Sequence, residues 1–68
     1  MTATVMMAQQ NTSLGFYVRV KRVARLLTQR ELAEVAGVTP EEVALVETGK
    51  PPYPEAARIL CRYLGIAP

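Results

Sequence analysis

The sequence predicts a compact all-α domain of four helices behind a flexible N-terminal arm, and three features carry that expectation. Two Thr-x-x-Glu patterns, Thr28 with Glu31 and Thr39 with Glu42, have capping-box spacing, in which each side chain satisfies the other residue's backbone donor. Gly37, Gly49 and Gly65 each follow an apolar, helix-forming run, at the place where helices commonly end. Apolar residues recur three and four positions apart, and no strand is indicated.

The elements follow in order. Residues 1 to 12 are small and polar apart from Val5, Met6 and Met7 and show no periodicity, so they read as the arm, with the domain occupying 13 to 68. Ser13 is placed to cap a first helix from about Leu14 to Leu26. Thr28 opens the second, which stops at Gly37. Thr39 opens the third, with Pro40 at the first helical position, where a missing N–H costs nothing; this helix runs to Thr48 and ends at Gly49. Lys50-Pro51-Pro52-Tyr53 is a stiff loop, because proline fixes φ and bars helix before it. Pro54 starts a fourth helix to about Leu64, closed by Gly65 with Ile66 placed for the hydrophobic contact of a Schellman end. The periodic positions give one core: Leu32, Val35 and Ala36 in the second helix, Val43 and Val46 in the third, Ile59, Leu60 and Tyr63 or Leu64 in the fourth, with Cys61 a small core residue beside them.

Composition narrows the chemistry. A chain of 68 residues holds one small domain and leaves no room for a large enclosed active site. There is no histidine and a single cysteine, which removes an internal disulfide, the usual zinc-ligand sets and every Ser/His or Cys/His nucleophile. The expectation is a non-enzyme without metal or cofactor, in a reducing, cytoplasmic setting. No segment approaches the roughly 18 apolar residues of a membrane span, and Met1 to Ser13 lacks the charged start of a secretory signal. Net charge is only +2, but it is unevenly spread: Arg19, Lys21, Arg22, Arg25 and Arg30 lie in the first half of the domain, while Glu41, Glu42 and Glu47 make the third helix acidic.

A helix-turn-helix requires a small residue where its helices cross and a glycine in the turn. Ala33 and Gly37 occupy those places, and Leu32, Ala36, Val38, Val43 and Val46 supply buried positions around them. With Leu14-Gly15, Val18 and Arg22 in the first helix, Leu27-Thr28-Gln29 entering the second, Leu32-Ala33, Ala36-Gly37-Val38, Val46-Glu47-x-Gly49, Pro54 and Leu64-Gly65-Ile66, the sequence resembles the Cro/phage-repressor (XRE-like) helix-turn-helix family from about Leu14 to Ile66. The resemblance implies a lambda-repressor-like domain of four or five helices that binds double-stranded DNA sequence-specifically as a homodimer and serves transcriptional control. It also implies that Arg22 pairs with Glu47 to tie the first helix to the third; breaking such a buried pair costs about 3 to 5 kcal/mol.

Gln29, at the start of the second helix, is the best phosphate-contact candidate, since free N–H groups and the helix dipole favour an anion there. Thr39, Thr48 and Lys50 flank the third helix as family backbone contacts do, and Thr39 is also a helix cap. By correspondence with the family the base-facing positions are Pro40, Glu41, Glu42, Ala44 and Leu45, where Gln, Arg, Asn, Ser or Lys would normally pair with guanine or adenine. Ala44 and Leu45 suit a thymine methyl, and a glutamate accepts from cytosine N4, but both carboxylates oppose the phosphate electrostatics that supply most non-specific affinity. Helix chemistry accounts for them otherwise: Glu42 completes the capping box, and each acid in the first turn is favoured by about 0.3 to 1 kcal/mol. On another face of the first helix, Phe16, Val20 and Val23 recur at spacings of four and three. They form a partner surface, or else Val5-Met6-Met7 or the end of the chain covers them. The leading reading is a DNA-binding transcriptional regulator that places residues 40 to 48 in the major groove. The alternative is a protein-interaction module on a helix-turn-helix scaffold that has lost base reading.

Overall fold

The computed structural model describes residues 13–66, which form α1 (Leu14–Ala24), α2 (Gln29–Ala36), α3 (Pro40–Thr48) and α4 (Glu55–Leu64). The arm expected at residues 1 to 12, with Val5-Met6-Met7, lies outside the described residues. Among the described residues there is no strand, and no helix is long and apolar enough to cross a membrane.

Ser13 caps α1 by accepting a hydrogen bond from the Phe16 N–H at 3.3 Å. The helix ends two residues before the expected Leu26, and the reason is local. Leu27 packs against the core, so the chain has to reverse just ahead of it. It does so with the Leu27 N–H on the Arg22 carbonyl at 3.2 Å, the Leu26 N–H on the Val23 carbonyl at 2.9 Å, and Leu26 left-handed at φ 59°. That is the hydrogen-bond pattern of a Schellman end with leucine in the position glycine normally takes. A side chain there strains the backbone by roughly 1 to 2 kcal/mol, and Leu26 is 89% exposed, so burial returns nothing. Leu26→Gly should therefore stabilise the domain by about 0.5 to 1 kcal/mol, after allowing for the greater freedom of glycine in the unfolded chain. An unchanged or lower midpoint in urea denaturation would contradict this.

The capping boxes of α2 and α3 are both closed. The Thr28 hydroxyl accepts from the Glu31 N–H at 3.0 Å and the Glu31 carboxylate from the Thr28 N–H at 2.9 Å; Thr39 and Glu42 repeat this at 3.1 and 2.9 Å. Between these helices Gly37 takes φ 82°, a left-handed value that favours glycine, and the N–H groups of Gly37 and Val38 converge on the Ala33 carbonyl at 2.9 and 3.0 Å. Pro54 stands just outside α4 as its N-terminal flank rather than within it. The predicted Schellman end of α4 is present, with the Ile66 N–H on the Cys61 carbonyl at 2.9 Å and Ile66 packed against the core.

The core is built from Val18, Leu32, Ala33, Val43, Val46, Ala57, Leu60 and Leu64. Two expected members are outside it: Val35 and Ile59 are 51% and 36% exposed. Each follows the apolar spacing but sits about 100° around its helix from a neighbour that points inward, Ala36 and Leu60 respectively. Of the pair Tyr63 or Leu64, Leu64 is buried, while the exposed Tyr63 ring lies under the Arg25 guanidinium at 5.7 Å. Cys61 is only partly buried, and burial pushes its thiol pKa up.

Candidate nucleic-acid interface

The interface is positioned by one buried carboxylate. Glu47, in the last turn of α3, has no side-chain exposure. Arg22 of α1 grips it as a fork, Nε to Oε2 at 2.6 Å and Nη2 to Oε1 at 3.1 Å, while Nη1 donates to the Leu27 carbonyl at 2.8 Å. Gln29 at the start of α2 donates Nε2–H to Glu47 Oε1 at 3.0 Å, and Arg19 Nε approaches the same oxygen at 3.7 Å. Burial alone would raise the pKa of Glu47. The hydrogen bonds from Arg22 and Gln29, with the charges of Arg22 and Arg19, outweigh burial and hold the carboxyl below its ordinary value.

This arrangement joins three helices at one point and fixes the pitch of α3. At about 100° per residue, Val43, Val46 and Glu47 face inward, leaving Glu41, Ala44, Leu45 and Thr48 stacked on the outer side. Leu45 is 56% exposed. Glu41 and Thr48 are exposed too, and Pro40, Glu42 and Ala44 are half-buried at the margins. The Thr48 hydroxyl donates to the Ala44 carbonyl at 2.9 Å, which leaves its oxygen lone pairs for an outside donor. Glu42 is turned back onto the Thr39 N–H, so its charge is shared with the cap, whereas Glu41 stands exposed on the outer face.

The N-termini of α2 and α3 bring their own polar groups. Gln29 is half-buried with one amide hydrogen committed to Glu47 and a second available. Thr39 is exposed in its cap, and Lys50 is exposed two residues beyond α3. Phe16, Val20 and Val23 belong elsewhere, on the side of α1 opposite Val18 and Arg22. Sequence reasoning gave Gly15 a place in the family pattern but no physical role, and assigned no place to Arg19. Gly15 is buried where α1 crosses α3, and a Cβ on it would run into the carbonyl oxygens of Val46 and Glu47. For Arg19 the signal was its position three residues before Arg22, one turn away on the same side of the helix. Among the described residues no group of three or more histidine, cysteine or acidic side chains is placed to hold a metal.

A family profile described as helix-turn-helix matches residues 18–68, well over half of the chain. No curated protein and no solved structure matches it. With two capped helices at a glycine turn, an ion pair locking the second of them to α1, and this family match, the chain belongs to the Cro/phage-repressor (XRE-like) helix-turn-helix family of DNA-binding domains.

Proposed function

We propose that the protein is a transcriptional regulator that lays α3 in the major groove of double-stranded DNA. The observation that carries this reading is the outward row of Glu41, Ala44, Leu45 and Thr48, held at a fixed pitch by the Glu47 contacts and flanked by the capped starts of α2 and α3. Gln29, Thr39 and Lys50 donate to the sugar-phosphate backbone, and Thr48 joins them once its hydroxyl turns from the Ala44 carbonyl to a phosphate oxygen. Ala44 and Leu45 meet thymine methyls, Glu41 accepts from cytosine N4, and Pro40 and Glu42 lie at the edge of the reading face. Two copies would occupy half-sites about 34 Å apart, one turn of the duplex.

Charge removal tests this reading. Glu41→Gln with Glu42→Gln keeps the α3 cap, because glutamine also serves at that capping-box position. At low ionic strength the double variant should bind mixed-sequence duplex roughly fivefold to tenfold more tightly than the parent, with the affinity falling steeply as salt is added. Fluorescence anisotropy across a salt series reads both. The acidic outer face of α3 favours a second reading, a scaffold that binds protein and no longer reads bases. Negligible duplex binding by parent and variant alike, with no salt dependence, would sink the first reading and favour the second.

A further inference from the structure

We propose that the outer face of α1 is a docking surface for an acidic amphipathic helix of a partner protein. In a helix of about 3.6 residues per turn, Val23, Phe16, Val20, Ala24 and Tyr17 fall side by side on an arc of roughly 120°. All five are exposed, the four larger ones at 53, 44, 45 and 42% respectively. The Phe16 and Tyr17 rings meet edge to face, 6.0 Å between centroids, giving the arc a broad aromatic end. Past its other end stands Leu26, strained and almost fully exposed, an apolar side chain for which the fold has no use. Phe16, Val20 and Val23 also keep the four-then-three spacing of a two-helix seam.

Charge identifies the occupant. Arg19 borders one edge of the arc and Lys21 the other, both exposed, and α1 contains no acidic residue. Phosphates would answer the two cations but gain nothing from the apolar strip between them. A second copy laid α1 against α1 would set cation against cation. A helix with leucines along one stripe and glutamates on both sides satisfies the strip and its borders together. This docking face is separate from the reading face of α3, so it stands or falls independently of duplex binding.

The test uses the full chain and two synthetic helical peptides, both with leucine at the a and d positions, one with glutamate and the other with lysine at e and g. Titration should give a dissociation constant on the order of 10 µM for the glutamate peptide, in keeping with a small one-helix contact, and at least about tenfold weaker binding of the lysine peptide. Amide shifts should gather at Phe16, Val20 and Val23. Val20→Asp should weaken the glutamate peptide about tenfold and Lys21→Glu should abolish the preference between peptides, since Arg19 still favours glutamate at its own edge; both positions are exposed, and circular dichroism verifies that the fold is kept. Equal affinity for the two peptides, or none for either, overturns the proposal. Self-association in sedimentation that Val20→Asp abolishes would assign the face to a second copy instead. Peptide affinity that emerges only in Met6→Asp/Met7→Asp would assign it to the chain's own N-terminal segment, and binding to anionic vesicles but not to peptide would assign it to a lipid surface.

Discussion

Glu47→Ala should leave a large fraction of the molecules unfolded at 25 °C. The substitution strands the Arg22 guanidinium, which is 14% exposed, and removes the acceptor of Gln29. Leaving one member of such a pair without its partner costs about 3 to 5 kcal/mol, comparable with the entire stability expected of so small a domain, roughly 5 kcal/mol. Urea denaturation followed by circular dichroism measures the loss, and a cost under about 1 kcal/mol would mean that the pair behaves like an exposed one. Exchanging both partners for apolar residues, Arg22→Met with Glu47→Leu, should recover part of the deficit, because the penalty arises from the stranded charge. The same carboxylate sets an acid limit. Its pKa in the folded chain is depressed, so the contribution is complete above the ordinary glutamate value of 4.5 and is lost as pH falls through the lower folded value. Stability should thus decline below pH 4.5 in the parent, and Glu47→Gln should show a shallower decline in that window.

Gly15→Ala should cost about 3 kcal/mol, near the top of the range for overpacking. An added methyl group usually favours a helix interior by about 0.5 to 1 kcal/mol over glycine, so the expected sign is opposite to that of the intrinsic propensity. The obstacle is main chain: the carbonyl oxygens of Val46 and Glu47 stand where the methyl group would go, and they belong to the last turn of α3. Relief would require α1 and α3 to separate and would stretch the Arg22–Glu47 contact with them. Thermal unfolding gives the answer, and an unchanged or raised midpoint would show that α1 and α3 do not meet this closely at Gly15. Gly15→Ala and Glu47→Ala should combine for less than the sum of their single effects, since both loosen the same crossing.

Much of this fold was legible because its boundaries are written in local chemistry. A threonine three residues before a glutamate closes its own capping box, and Gly37 and Gly65 mark left-handed turns whatever the surroundings. The end of α1 was not legible for the complementary reason. Leu26 has no intrinsic preference for a left-handed turn and adopts one because Leu27 packs against the core and Arg22 holds it there by both its carbonyl and its guanidinium. Val35 and Ile59 were misplaced by periodicity, which gives the spacing of a stripe but not its rotation toward the neighbouring helices. At the interface, sequence could pair Arg22 with Glu47 only through family resemblance. That Gln29 joins them depends on the crossing of α2 and α3, which no spacing along the chain encodes.

The division of labour on α3 bears on how such a domain changes over time. Its inward residues, Val43, Val46 and Glu47, are tied to packing and to Arg22, and its first turn is held by Thr39 and Glu42. Glu41 and Leu45 stand on the opposite side, exposed and outside both sets of contacts. Surface positions of this kind tolerate exchange within about 0.5 kcal/mol. A lineage can therefore rewrite Glu41 and Leu45 step by step, changing the chemistry of this outer face without crossing a valley of unfolded intermediates.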